Sequence, residues 1–138
     1  MSRGPENTFM ASVHRYLPPV VYHMKNHNPY VGGIPDVWYS GRRGDLWVEW
    51  KYVTMPKRPS TVIDLVGGKN PPLTPLQQQW LRERAEEGRN VAVIIGSKQG
   101  GVMLTHGAWM TSFTAAYFAA HLISRKDLAE RIVEEVHG

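Results

Sequence analysis

The sequence predicts an α/β domain built on a mixed β-sheet with helices around it. Three observations lead there. In Asp45 to Val53 every even position is large and apolar while the odd positions include Asp45, Glu49 and Lys51, the period of a strand with one face on a core. Thr74-Pro75 announces a helix that Gly88 closes, since threonine caps, proline suits the first helical position and glycine suits the end. The signals then run helix, hairpin, helix, strand, strand, helices, an order that mixes parallel and antiparallel neighbours. With 138 residues, 42% hydrophobic and 20% charged, one domain over 1–138 is expected, with a real core.

Glu6 to Leu17 reads as the first helix, with Phe9, Val13 and Tyr16–Leu17 at helical spacing and Pro18–Pro19 as its stop. Val20 to Tyr30 reads as a short extended piece and then a loop marked by Asn26, Asn28 and Pro29. Ile34 to Tyr39 is a strand, and Gly41-Arg42-Arg43-Gly44 turns the chain. In Asp45 to Val53 the even positions Leu46, Val48, Trp50 and Tyr52 face a core, while Asp45, Glu49 and Lys51 fall on the other side. Met55 to Pro72 is a long loop rich in proline, glycine and lysine, of a length that suits function. Pro75 to Glu87 is a helix, Val91 to Ile95 a buried strand, Gly100–Gly101 a turn and Val102 to Thr105 another strand. Trp109 to Leu122 and Ser124 to Val136 read as helices, making 106–138 a C-terminal helical extension.

The composition removes several functions. The chain has no cysteine, which excludes disulfides, thiol catalysis and cysteine-held zinc or iron–sulfur sites. No stretch is long and apolar enough to cross a membrane, and the first residues carry Arg3 and Glu6 with no apolar run, so an intracellular protein is expected, with a phage-encoded origin open. The net charge of +4 is unevenly spread. Arginine and lysine crowd the middle of the chain from Arg42 to Arg89, and acids gather in the last turns, which points to a polyanionic partner near the central segment.

That segment carries the chemistry. If Gly41 to Gly44 form a four-residue loop, paired positions sum to 85, so Trp38 faces Trp47 and Asp36 faces Glu49. Carboxylates directly opposite in an antiparallel pair repel. A divalent cation reverses that sign, and hard oxygen ligands suit magnesium or manganese. Lys51 lies two residues beyond Glu49 on the same strand face, where it can orient a water or meet charge on a phosphate. The spacing alone equally allows a solvated strand face with Asp36 as a turn residue, and a slip of one residue moves Asp36 to the other side.

Gly33-Ile34-Pro35-Asp36, followed thirteen residues after the aspartate by Glu49-Trp50-Lys51, resembles the PD-(D/E)XK nuclease signature. Leu73-Thr74-Pro75-Leu76-Gln77 opening a helix, then Trp80-Leu81, Gly88 and Val91 to Ile95, resemble its stand-alone VRR-NUC and Holliday-junction-resolvase-like branch. The resemblance covers about Glu6 to Thr105. It implies a restriction-endonuclease-like core and a Mg²⁺- or Mn²⁺-dependent DNA endonuclease. Asp36, Glu49 and the backbone carbonyl of Trp50 would ligate the metal. Lys51 would position water or steady the transition state. Glu6 matches an acidic residue of the first helix that completes the site, although an acid at a helix start is also favoured by the dipole. Gln77 matches a glutamine near the metal, although Thr74-x-x-Gln77 is also a capping box. Arg42, Arg43, Lys57, Arg58 and Lys69 would hold the DNA backbone, with salt-dependent affinity. The branch favours cutting of junctions or flaps by a homodimer, since two cuts on two strands call for two-fold symmetry. The helices after Trp109 are the expected interface or DNA-facing cap.

A site-specific homing endonuclease of the same fold and a non-catalytic nucleic-acid-binding module remain alternatives, as does a structural domain without DNA affinity. Other motifs carry less. Gly67-Gly68-Lys69 lacks the strand and the full pattern of a phosphate-binding loop. Gly41-Arg42-Arg43-Gly44 is better explained as a hairpin turn than as a nucleic-acid clamp. His14, His23 and His27 match no common zinc spacing and read as packed or surface residues. The tryptophans at 38, 47, 50 and 80 read mostly as core, with Trp38 and Trp47 on the catalytic face. Ser112 and Ser124 have no histidine–aspartate partners in pattern.

Overall fold

In the computed structural model, which describes residues 4–26 and 32–138, the strand Asp45–Tyr52 is the centre around which the rest assembles. In chain order the elements are α1 (Pro5–His14), β1 (Tyr22–Lys25), β2 (Val37–Ser40), β3 (Asp45–Tyr52), β4 (Val62–Ile63) and α2 (Pro75–Glu86). They continue with β5 (Val91–Ser97), β6 (Gly100–Thr105), a 3-10 turn (Ala108–Met110), β7 (Phe113–Thr114), α3 (Ala115–Ala120) and α4 (Arg125–His137). The main sheet has five strands in the order β1-β2-β3-β5-β6. Only β3 and β5 are parallel; the remaining neighbours are antiparallel, so the sheet is mixed as expected. Among the described residues, no helix is long and apolar enough to cross a membrane.

Each face of the sheet builds its own core. The even residues Leu46, Val48 and Trp50 of β3 pack against Phe9, Met10 and Val13 of α1 and Leu128, Ile132 and Val136 of α4. Backbone must come close there: a Cβ on Gly96 would run into the Phe9 ring. On the other face Val91, Val93 and Ile95 of β5 meet Leu81 of α2, Leu65 and Leu73 of the preceding loop, and Trp109 and Phe118 from the C-terminal part. The β3–β5 crossover thus lays α2 across the face that carries Glu49 and Lys51.

The hairpin register is the one the loop length predicts: Val37↔Val48, Trp38↔Trp47, Tyr39↔Leu46 and Ser40↔Asp45. Several boundaries differ from the sequence reading. β2 starts at Val37, not Ile34. Gly33 has φ +87° and Pro35 has no N–H to give a ladder, so the chain enters the sheet late. α1 ends at His14, not Leu17; Tyr16 and Leu17 bond back only three residues, to Val13 and His14, before the prolines. The long loop contains β4, which pairs with β7. The turn expected at Gly100–Gly101 is made by Lys98 and Gln99, because Ser97 pairs with Gly100 and Gly101 with Gly96 inside the β5–β6 ladder.

The largest correction concerns the expected helix from Trp109 to Leu122. That stretch is a 3-10 turn, the strand β7 and the six-residue α3. Its first part follows Gly107 in the left-handed region, and its middle is pulled into β7 by backbone pairing with β4. Residues 106–138 are therefore not simply helical. The last helix is as expected, with the Ser124 side chain capping Asp127 N–H at 3.0 Å. Of the loop signals, Asn28 and Pro29 lie outside the described residues, as does His27.

Candidate metal centre

The site grows from the hairpin. Asp36 stands one residue before β2, and its Oδ2 accepts the Trp50 backbone N–H at 3.0 Å. The segment leading to it is held against the start of α2. A Cβ on Gly33 would lie 2.5 Å from the Leu76 carbonyl oxygen, so only glycine fits at that positive φ. This contact ties the aspartate-bearing turn to the helix turn carrying Gln77.

Glu49 projects from β3 toward α2 and is only 2% exposed. Alternation places this odd position on the side away from Leu46, Val48 and Trp50, and α2 covers that side. Oε2 accepts from Gln77 Nε2 at 3.1 Å and lies 3.5 Å from Lys51 Nζ. Oε1 is buried with no hydrogen-bond partner. Glu6, from the first turn of α1, completes a carboxylate cluster: one oxygen from each of Glu6, Asp36 and Glu49 lies within 4.8 Å of the others. Burial first, then the charge of Asp36, pushes the Glu49 carboxyl up to about 9, with Lys51 partly opposing. Burial likewise raises Glu6, which Lys51 opposes most.

Three acids crowded together, Glu49 buried and Glu6 and Asp36 half-buried, with an unpaired oxygen among them, are costly for a metal-free fold. The donor set is all hard oxygen, the chemistry that magnesium and manganese take. The residues present therefore fit a divalent cation.

Gln77 caps α2 and also reaches the acidic cluster. Its N–H donates to Thr74 Oγ1 at 3.2 Å and its Oε1 accepts from Thr74 N–H at 3.0 Å, a complete capping box. The same Oε1 accepts from Lys51 Nζ at 3.3 Å, and Nε2 grips Glu49. The cap thus fixes an amide that holds both the carboxylate and the ammonium.

Behind the sheet, Trp50 links this centre to a second polar group. Its indole Nε1 donates to Tyr39 Oη at 3.2 Å, and that hydroxyl lies 2.6 Å from His14 Nε2. Since Trp50 can only donate, Tyr39 accepts from it and gives its own proton to His14. Burial holds His14 down at about 4, and the same burial raises Tyr39 well above its ordinary range. His14 is packed against His23, with ring centroids 4.5 Å apart. Nothing in the sequence pattern marked Tyr39 or His14 as partners of the site. Gln78 was also missed: its Nε2 donates to the Val66 and Leu73 carbonyls and so pins the long loop onto α2.

The basic residues divide. Lys57 and Arg58 are exposed in the loop that follows the Lys51 end of β3, and Lys69 is exposed in the same loop before α2. Arg42 and Arg43 sit in the hairpin turn before Asp45, at the other end of β3. From there to Lys51 is about 20 Å of strand, at ~3.3 Å per residue. Arg43 is partly explained by packing, since its N–H donates to Val136 O at 2.8 Å and its Nη1 reaches Glu134 O at 3.5 Å, both at the end of α4. Trp38, Trp47 and Trp80 form a half-buried aromatic row on the α2 side, with centroids 6.2 and 5.5 Å apart, while Trp50 is core.

No protein-family model matches the sequence, and no curated protein sequence does. Among solved structures the chain is similar to Hjc of Archaeoglobus fulgidus, a Holliday junction resolvase from an archaeal hyperthermophile. The TM-score is 0.51 at 11% identity, over 90% of this chain and 99% of that one. At that identity the likeness is one of fold. The five-stranded mixed sheet flanked by helices is a restriction-endonuclease-like core, the fold this chain shares with that resolvase.

Proposed function

We propose that the chain is a PD-(D/E)XK nuclease: a divalent-metal-dependent endodeoxyribonuclease that hydrolyses phosphodiester bonds in branched DNA. The observation that carries this reading is the Glu6–Asp36–Glu49 cluster, with the buried, unpaired Glu49 Oε1 inside it and Lys51 beside it. The fold likeness to a resolvase supports the class of substrate.

Glu6, Asp36 and Glu49 would hold Mg²⁺ or Mn²⁺, with the Trp50 carbonyl as a further ligand. Such an ion supplies positive charge at the phosphoryl oxygens and lowers the pKa of water. The protein's own residues do the rest. Trp50 N–H fixes the Asp36 carboxylate. Gln77 fixes Glu49 and Lys51 together. Lys51, a half-buried ammonium, steadies charge developing on the phosphate or orients the attacking water. Lys57, Arg58 and Lys69 are the backbone-holding cations nearest this end of β3, and Arg42 and Arg43 extend the basic track along the hairpin. Two symmetric cuts across a junction need two such sites, which a homodimer provides.

The test is a cleavage panel in Mg²⁺ and Mn²⁺ with a four-way junction, a flap, single strands, plain duplex and long mixed-sequence DNA. The wild type is expected to cut the junction symmetrically. Lys51→Ala is expected to lose turnover while still binding Mn²⁺ by calorimetry. A single discrete cut in long duplex would replace the branched substrate with a site-specific one. Tight DNA binding with no cleavage of any substrate would leave a non-catalytic module and end the enzyme reading.

A further inference from the structure

Arg125 opens α4, where a cation opposes the positive end of the helix dipole. Its guanidinium is nevertheless held in place. Nε donates to Ser12 Oγ at 2.9 Å, and Cζ lies 4.8 Å from the Phe9 ring centroid. Ser12 Oγ donates in turn to Phe9 O at 2.5 Å, so its oxygen is committed as the arginine's acceptor. Among the described residues no carboxylate lies within ion-pair distance of Arg125.

This arginine lines a cavity of about 220 Å³ with Pro5, Thr8, Phe9, Ser12 and Tyr52. No acid lines it. The cavity near Arg43 and Arg89 differs, because Asp45 and Glu135 share its wall and offset both cations. The α1–α4 cavity also has a telling position. Pro5 and Thr8 flank Glu6 along α1, and Tyr52 follows Lys51 on β3. It therefore lies at the same end of β3 and of α1 as the carboxylate centre, on the α1–α4 side of the sheet.

A half-buried, oriented and uncompensated guanidinium with hydroxyls nearby is built to take an anion, and its fork geometry suits a phosphate oxygen pair. We propose that this cavity is a backbone-phosphate subsite, in which Arg125 grips a phosphodiester flanking the one at the carboxylate centre. The inference rests on the nuclease reading and adds a contact on the α1–α4 side, away from the basic loops. Arg125 then sets where along the strand the scissile phosphate comes to rest.

Binding of a labelled four-way junction in Ca²⁺, followed by fluorescence anisotropy over a range of salt, tests it. Arg125→Gln should weaken binding about tenfold and lower the slope of log affinity against log salt by about one. Lys126→Gln removes the same charge from the neighbouring residue, which does not line the cavity, and should change little. Thr8→Glu leaves the Arg125 packing intact, so it serves even if Arg125→Gln folds poorly, and it should weaken binding as well. A wild type that binds no DNA at low salt would overturn the nuclease reading and this subsite with it. A wild type that binds while Arg125→Gln and Thr8→Glu behave like Lys126→Gln would overturn the subsite alone. Inorganic phosphate bound at Arg125 by calorimetry, with junction binding unchanged in Arg125→Gln, would also overturn it and assign the cavity to a free anion.

Discussion

Two polar clusters lie on opposite sides of β3, and they meet at Trp50. On the α1–α4 side, His14, Tyr39 and the Trp50 indole are neutral and paired donor to acceptor. On the α2 side, Glu6, Asp36 and Glu49 crowd together, and Glu49 keeps an unpaired buried oxygen. Each has a buried member, Tyr39 and Trp50 in the first and Glu49 in the second. Only the first is in a state that folding alone can justify: its polar groups are satisfied, whereas in the second burial and the charge of Asp36 hold the Glu49 carboxyl protonated, far above its ordinary range. The same strand thus carries a group that supports the structure and a group that the structure has to tolerate. The proposed function rests on that difference.

The largest effect is expected where that tolerance is removed. Asp36→Asn keeps an acceptor for Trp50 N–H but takes one charge out of the cluster. Cleavage should fall by on the order of 10³-fold or more, as for loss of a group acting directly on developing charge. Without metal and at pH 9 or above, where Glu49 is ionised, the variant should melt at a higher temperature than the wild type, because repulsion between the two carboxylates is relieved. Mg²⁺ should raise the melting temperature of the wild type by mass action and leave Asp36→Asn unmoved. Calorimetric melts in chelator and in Mg²⁺ read both arms. A variant that melts lower in chelator would make the cluster an ordinary stabilising network and break the contrast.

The two clusters should also respond to pH with opposite signs. Glu49 sits at about 9 in the fold, above the ordinary carboxylate value of 4.5, so the folded protein holds a proton that the unfolded chain has released. Its contribution is full below pH 4.5 and is lost as pH rises toward 9. His14 sits at about 4, below its ordinary 6.5, so its contribution is full above pH 6.5 and is lost as pH falls toward 4. Metal-free melting temperatures should therefore decline from pH 6 to pH 9, and Glu49→Gln should flatten that decline. Bound Mg²⁺ should flatten it too, and metal affinity should climb over the same interval because the ligand must shed its proton. A metal-free decline that persists in Glu49→Gln would assign the effect elsewhere.

How much of this could be read in the sequence follows the range of the interactions. The β3 alternation, the hairpin register and the Thr74–Gln77 box are local, and each survives in the fold. The C-terminal part is where local reading fails. Phe113 to Ala120 is apolar and alanine-rich, which suits a helix, yet two of its residues pair with β4 some fifty positions earlier. No local signal encodes that contact. The burial of Glu49 is not legible for the same reason: period-2 patterning assigns sides of a strand, but only tertiary structure determines what covers a side. The Tyr39–His14 pair is hidden further, since a tyrosine in a strand and a histidine at a helix end look like ordinary core and surface.

Smaller effects sharpen the contrast from the satisfied side. Tyr39→Phe strands the Trp50 indole N–H and His14 Nε2, and should lower stability by about 1–3 kcal/mol, the usual penalty for an unpaired buried polar group. Denaturant titration measures it. Cleavage rate should change far less than in Asp36→Asn, because the Trp50 backbone N–H, not its indole, holds the aspartate. A rate loss as large as that of Asp36→Asn would mean the two clusters act as one.

Gln77→Ala is the smallest and most discriminating change, because this residue belongs to both kinds of interaction. As a cap it stabilises α2, and its loss should cost about 1 kcal/mol. As the amide between Lys51 and Glu49 it should lower turnover even where the protein stays folded. Gln77→Glu separates the parts. Its carboxylate can still accept from Thr74 N–H, so the cap survives, but it cannot donate to Glu49 and adds a fourth acid to the cluster. Stability in Mg²⁺ should then stay near wild type while the rate falls further than in Gln77→Ala. If both variants cut at the wild-type rate, Gln77 is a helix cap alone, and the alignment of Lys51 and Glu49 rests on the strand that carries them.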